Sequence, residues 1–251
     1  MARDVTKLLH LEQVRRDFVA NVSHELRTPL TVVHGYLDMM EPEDFPDTGP
    51  MLSEMRKQSQ RMAQLVEDLL TLSRLESQQH TELETVAMTS MLASLRREAE
   101  AHSQGRHTIT VEDKAGVDLA GSNKELHSAF SNLLTNAVRY TPAGGRISLT
   151  FTREGEGAVL SVTDTGYGIP ANHLPRLTER FYRVSSSRSR ESGGTGLGLS
   201  IVKHILGLHQ ARLDIRSEVG KGSTFSCHFD AEHVRPRSST STLAPTEDFP
   251  A

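Results

Sequence analysis

Ala20-Asn21-Val22-Ser23-His24-Glu25-Leu26-Arg27-Thr28-Pro29-Leu30 lies inside a run in which Leu11, Val14, Phe18, Val22, Leu26, Leu30, Val33, Leu37 and Met40 recur every three or four residues. This spacing predicts a helix from about Thr6 to Met40, ~50 Å long at 1.5 Å per residue. On such a helix His24 and Thr28 share a face, while Glu25 is turned about 100° away. Pro29 has no N–H to give the carbonyl of Glu25, so the helix bends beside His24.

Downstream, Glu41 to Pro50 holds three prolines and a glycine and interrupts the helix. A second helix is expected from about Met51 to Glu76, with Met55, Met62 and Leu69 at intervals of seven and Leu65 and Leu72 between them. The two form an antiparallel hairpin. One hairpin covers only part of each apolar stripe, so a second copy is expected to complete a four-helix bundle, which makes the chain a homodimer. Taken alone, such stripes also fit any helical core or coiled coil.

The 251 residues, 36% hydrophobic and 24% charged, allow more than one ordinary globular core. No apolar run approaches the roughly 20 residues of a membrane span, and Met1-Ala2-Arg3-Asp4 lacks the apolar centre of a secretion signal. The net charge of -4 gives no bias toward nucleic acid, although arginines cluster between Arg176 and Arg190. A lone Cys227 excludes an internal disulfide and fits a reducing, cytosolic compartment.

After the polar stretch Ser77 to Glu82 the pattern changes. Helices are expected from Thr89 to Ser103, Asn123 to Tyr140 and Leu197 to Leu208. Strands are expected at His107 to Glu112, Arg146 to Thr152, Ala158 to Thr163, Arg212 to Ser217 and Thr224 to Phe229. Without regular β-α-β alternation, this order predicts an α+β sandwich with helices on one face of a sheet. From Arg235 to Ala251 the chain is rich in Ser, Thr and Pro and is expected to be disordered.

Four short motifs carry chemistry. Asn132-Leu133-Leu134-Thr135-Asn136-Ala137 puts two amides on one helical face, and amide oxygens suit Mg²⁺. By itself the pair is equally an ordinary polar surface. Asp164-Thr165-Gly166-Tyr167-Gly168-Ile169-Pro170 follows a strand; its glycines admit a flat base and its carboxylate can accept from an adenine amino group, although a tight turn has the same look. Phe181-Tyr182-Arg183 alone is an aromatic packing cluster. Gly193-Gly194-Thr195-Gly196-Leu197-Gly198-Leu199 opens a helix, where N–H groups meet phosphates.

The string His24 to Leu30 resembles the phosphoacceptor motif of sensor histidine kinases, and the hairpin resembles their dimerisation and phosphotransfer domain. The four motifs, in this order, resemble the N, G1, F and G2 boxes of the GHKL (Bergerat) ATP-binding fold. Phe18 to Met40 and Pro175 to Arg190 are similar to the phosphate-regulon subgroup. Arg3-Asp4-Val5-Thr6 resembles the closing D-x-T of a PAS sensor domain. The resemblance thus implies the end of a sensor and a linker at 1–9, the dimerisation and phosphotransfer domain at 10–80, the catalytic ATP-binding domain at 81–232 and a disordered tail at 233–251. Any membrane anchor would lie upstream, and the chain would be the cytoplasmic part of a membrane-anchored sensor.

The roles that this resemblance implies follow residue by residue. His24 attacks the γ-phosphate of ATP, and Glu25 is its base or orienting carboxylate. Asn136, assisted by Asn132, binds Mg²⁺. Arg139, where many relatives have lysine, and Tyr140 face the phosphates. Asp164 reads adenine, with Gly166, Gly168 and Ile169 shaping the pocket. Phe181, Arg183, Gly194, Thr195, Gly196, Leu197, Gly198 and Leu199 complete the nucleotide site. The phosphoryl group then passes to an aspartate of a response regulator receiver domain. By position, within four turns of His24, Thr31, His34, Gly35 and Asp38 are the expected contacts, although the glycine could equally serve internal packing. Thr28 is implied to position the water that dephosphorylates the regulator; its plainer alternative is a hydrogen bond to the carbonyl of His24. Two other classes compete. A GHKL ATPase clamp would carry a glutamate at the place of Asn132, and an amide cannot serve as that base. A non-catalytic ATP-binding dimer scaffold would have no need of His24.

Overall fold

The computed structural model describes residues 30–40, 48–78, 83–184 and 194–237. Of the first expected helix, residues 30–38 fall within this set and are helical (α1), while its earlier part lies outside the described residues. Helix α2 spans Gly49–Ser77. It starts before Met51 because Pro50 occupies the first turn, where N–H groups have no intrahelical acceptor and proline is tolerated. Arg56 of α2 fixes the corner. Its Nε donates to the Leu37 carbonyl at 2.7 Å, and a terminal nitrogen donates to the carbonyls of Asp38 at 3.2 Å and Met40 at 2.5 Å. Carbonyls at a helix end lack their usual N–H donor four residues on, and here, among the described residues, only that of Leu37 also takes a local N–H, from Met40 at 3.3 Å.

The second unit is built on strands β2 (Thr108–Asp113), β4 (Arg146–Glu154), β5 (Gly157–Asp164), β6 (Arg212–Glu218) and β7 (Gly222–Phe229), in the order β2-β4-β5-β7-β6. Only the β2–β4 pairing among these is parallel. Alternation decides the faces. Ile147, Leu149, Phe151, Leu160, Val162, Phe225, Cys227 and Phe229 are buried toward α3 (Met88–Ser103), α4 (Asn123–Tyr140) and α5 (Gly198–Leu208). Each such side chain contributes about 1.5–3 kcal/mol when fully buried. Phe130 of α4 meets Phe229 edge to face, at 6.2 Å between ring centres. The opposite face is polar and stitched by hydroxyls, with Ser161 on Ser226 at 2.8 Å and Thr163 on Thr224 at 3.1 Å. This is the α+β sandwich read from the sequence.

A second sheet, β1-β3-β8, adds to the expected elements: β1 is Glu84–Val86, β3 is Val117–Gly121 and β8 is Val234–Pro236. All five residues of β3 are buried, so it lacks the alternation that betrays a half-exposed strand. Its Asp118 carboxylate accepts the Met88 N–H at 3.0 Å and so caps α3 from a distance. Strand β8 also corrects the expected tail. Residues 233–237 are ordered, His233 is buried, and Arg237 binds Asp113 and the Val117 carbonyl.

The two units touch. Leu72 and Leu75 of α2 join the core of the second unit, with Leu65 and Leu69 packed against it. Val32, Val33, Tyr36 and Met39 beside α1, and Met51, Met55 and Met62 of α2, stay exposed.

Candidate functional site

Helix α4 presents two faces. Leu126, Ala129, Phe130, Leu133, Leu134, Ala137 and Val138 are buried, while Asn132, Asn136, Arg139 and Tyr140 form a half-buried polar stripe. The Ser122 hydroxyl accepts the Glu125 N–H at 3.4 Å to start the helix, and extended Thr141 ahead of Pro142 ends it. Asn132 donates its amide N–H to the Ser128 carbonyl at 2.8 Å, which leaves its oxygen as the outward acceptor. That oxygen faces Gly198, where an added Cβ would lie 2.6 Å from it.

Beside the end of α4, β5 delivers Asp164 into the loop 165–169. The Asp164 side chain is 6% exposed and accepts the Gly166 N–H at 2.8 Å. Burial raises its carboxyl above the ordinary range, opposed by hydrogen bonds from the backbones of Gly166 and Ser223. The loop is pinned on two sides. Tyr167 donates its N–H to the Tyr140 carbonyl at 3.2 Å, and the Tyr167 carbonyl accepts from Gly220 at 2.8 Å. The Ile169 N–H reaches the Ser217 hydroxyl at 2.7 Å. Gly168 has φ +67°, and a Cβ there would come within 2.0 Å of the Glu218 carbonyl oxygen, so only glycine fits.

The third wall joins the aromatic and glycine motifs. Phe181, at φ +62°, donates its N–H to the Gly196 carbonyl at 2.9 Å, and its ring is exposed. Tyr182 meets His173 through a 2.6 Å hydrogen bond and lies under the Arg176 guanidinium. Gly194 lies beside Arg139 and Tyr140: a Cβ on it would stand 2.9 Å from the guanidinium. Thr195 accepts the Leu197 N–H at 3.2 Å. The Leu197 side chain is fully buried in the core and its N–H is bonded to Thr195, which sets the start of α5. Leu199 is half-buried against the same core.

Asn132, Asn136, Arg139, Tyr140, Asp164 and the 194–198 segment therefore border one region. Its chemistry fits a purine nucleotide: a buried carboxylate acceptor lies at one end, and an arginine and a glycine-lined helix start lie at the other. No cluster of three His, Cys, Asp or Glu side chains able to hold a metal exists among the described residues. Mg²⁺ in this region would rest on amide oxygens of Asn136 and Asn132 and on phosphate oxygens.

Two family descriptions match the chain: the His Kinase A (phospho-acceptor) domain over residues 14–78, and the histidine kinase-, DNA gyrase B- and HSP90-like ATPase over residues 121–233. The chain belongs to the sensor histidine kinases. Over 240 residues it is 53% identical to the phosphate regulon sensor protein PhoR of Pseudomonas aeruginosa, covering 93% of this chain and 54% of that protein. PhoR of Haemophilus influenzae is 38% identical, with 90% and 54% covered. The sensor-like histidine kinase SenX3 of Mycolicibacterium smegmatis is 37% identical, with 89% and 59% covered. The chain spans about half the length of the relatives it matches. Full-length ShkA, solved in complex with AMPPNP, shares the fold at a TM-score of 0.70 and 24% identity, with 87% of this chain and 46% of that one covered.

His24, Glu25 and Thr28 lie outside the described residues, as does Gly193. The structure also brings Asp68, outside the sequence motifs, to the glycine segment: the Thr195 hydroxyl donates to it at 2.6 Å. The available signal was a carboxylate between Leu65, Leu69 and Leu72 on the apolar face of α2.

Proposed function

We propose that this chain is the catalytic core of an ATP-dependent protein-histidine kinase that acts as a homodimer in phosphate-regulon signalling. The observation that carries the reading is the grouping of the α4 polar stripe, buried Asp164 and the glycine segment around one region, in a chain whose first third matches the phospho-acceptor family. A ring nitrogen of His24 attacks the γ-phosphorus, the bond to the bridging oxygen breaks, ADP leaves, and Glu25 takes or steers the imidazole proton. Mg²⁺, when bound by Asn136 and Asn132, neutralises charge on the phosphates. Asp164 holds the adenine edge, while Arg139 and Tyr140 align the triphosphate. The phosphoramidate on His24 then passes its phosphoryl group to a receiver-domain aspartate of a response regulator, and Thr28 positions the water for the reverse removal from that regulator.

The exposed apolar side chains of α1 and α2 support the dimer, since Met55 and Met62 follow the heptad stripe and remain 48% and 44% exposed on one copy. Gly35 supports regulator docking, because a Cβ there would meet nothing within 4 Å. On this reading the chain is the cytoplasmic portion of a membrane-anchored sensor; no described helix is long and apolar enough to cross a bilayer.

The test is incubation with γ-labelled ATP, with and without a phosphate-regulon receiver domain. Acid-labile, alkali-stable label that disappears in His24→Ala, while nucleotide affinity persists, is expected. Label that persists in this variant would overturn His24 as acceptor, and steady ATP hydrolysis without label would favour the clamp-type ATPase.

A further inference from the structure

Asp68 is out of character with its position. Helix α2 lays Leu65, Leu69, Leu72 and Leu75 against the second unit, and residue 68 falls on the same stripe. A leucine there would simply extend the seam. Instead a carboxylate is buried to 8% exposure, and it is met by two donors: the Gln64 amide at 2.8 Å and the Thr195 hydroxyl at 2.6 Å. Thr195 in turn accepts the Leu197 N–H, so Asp68 holds the residues that lead into α5. Burial raises the Asp68 carboxyl above its ordinary range, opposed by the hydrogen bonds from Thr195 and Gln64 and by the charge of Arg139. The Arg139 guanidinium lies against Gly194, the neighbour of the Thr195 that Asp68 holds. A second polar tie, from Arg180 to Glu76, lies further along α2.

We infer that the Asp68 carboxylate makes docking of the catalytic unit on α2 and binding of nucleotide phosphates mutually antagonistic. The inference rests on the reading of Arg139 and the 194–198 segment as the phosphate end of the ATP site. In the docked arrangement Asp68 supplies negative charge where the phosphates supply it in the complex, and Arg139 compensates whichever is present. When phosphates take Arg139, Asp68 is left buried beside another anion, an arrangement relieved by separating α2 from α5. Linkage requires the converse, that docking on α2 weakens nucleotide binding by the same factor. The apolar seam supplies attraction, and Asp68 makes that attraction responsive to nucleotide.

Asp68→Asn tests this in the full chain, because the amide oxygen can still accept from Thr195 while the charge is gone. AMPPNP affinity by calorimetry is expected to tighten by about five-fold or more, the lower end of common coupling factors. Spin labels placed on the first turns of α2 and on an exposed residue of β6 report the docking distance. In the parent chain AMPPNP should lengthen it, and in Asp68→Asn the distance should stay short with nucleotide bound. Equal affinities together with equal lengthening in both proteins would overturn the inference while leaving the nucleotide site intact. Failure of the parent chain to bind AMPPNP, with a normal melting curve, would overturn the nucleotide reading and this inference with it, whereas binding lost only in Asp68→Asn would overturn the inference alone.

Discussion

His209 Nε2 accepts the backbone N–H of Ser122 at 3.0 Å, tying the end of α5 to the start of α4. Its Nδ1 lies 2.8 Å from the Ile205 carbonyl, which can only accept, so Nδ1 carries the proton and the ring is neutral in this arrangement. The ring is fully buried and packs so closely on Gly121 that a Cβ there would sit 2.7 Å from it. The glycine-motif helix and the asparagine-motif helix are thereby held in one register.

His209→Phe keeps the bulk but leaves the Ser122 N–H without its acceptor. A fully buried donor so stranded costs about 1–3 kcal/mol, and half-buried Ser122 places the cost at the lower end. Urea unfolding followed by circular dichroism should show a loss in that range, and a change within about 0.5 kcal/mol, typical of uninvolved surface positions, would show that the bond contributes little.

Much of this arrangement could be read from residue order. Helix α4 ends where Thr141-Pro142 requires, and β4 and β5 turn at Gly155 because glycine accepts its φ of +58°. What escaped depends on partners distant in sequence. Strand β3 is buried on both faces, and its Asp118 reads as turn chemistry until Met88 is brought beside it. Pro50 reads as a helix breaker, although the first turn accepts it. Asp68 reads as a solvated acid until Thr195, 127 residues later, is folded onto it. The polar motifs were legible because each keeps its residues within one turn or loop.

Gly168 and Gly155 separate two uses of a positive φ. Both lie in the left-handed region, at +67° and +58°, but a Cβ on Gly168 would come within 2.0 Å of the Glu218 carbonyl while one on Gly155 would meet nothing within 4 Å. Gly155→Ala should therefore lose only about 1–2 kcal/mol, the backbone strain alone, and keep nucleotide affinity. Gly168→Ala should lose more and weaken AMPPNP by roughly ten-fold or more, because the loop must leave the β6–β7 turn. Equal losses in the two variants would contradict the close approach as the cause.

The exposed methionines give a test of assembly. Met55 and Met62 each offer a half-exposed apolar side chain on the heptad stripe of α2, and burying one contributes about 1.5–3 kcal/mol. Met55→Glu combined with Met62→Glu places four like charges at a two-fold interface. Sedimentation velocity at micromolar concentration should then shift from dimer to monomer while AMPPNP affinity is retained. An unchanged dimer would put the interface on another surface.

Asp164 gives a prediction with a sign in pH. Burial raises its folded-state carboxyl above the unfolded value of 3.8, so the folded chain holds this proton more tightly than the unfolded chain does. Between the two values the native state carries more protons, and stability falls as pH rises; above the folded value the penalty is complete. Asp164→Asn removes this titration. The unfolding free energy of the parent minus that of the variant should therefore decline as pH climbs from about 3.8 and then level off. The same substitution exchanges an ionised acceptor for an amide that can turn its donor toward adenine. A charge-assisted hydrogen bond contributes about 1.5–3 kcal/mol, so AMPPNP should bind roughly 10 to 150-fold more weakly at neutral pH. A stability difference independent of pH would mean that burial does not govern this carboxylate, and unchanged affinity in a folded variant would remove Asp164 from the adenine site.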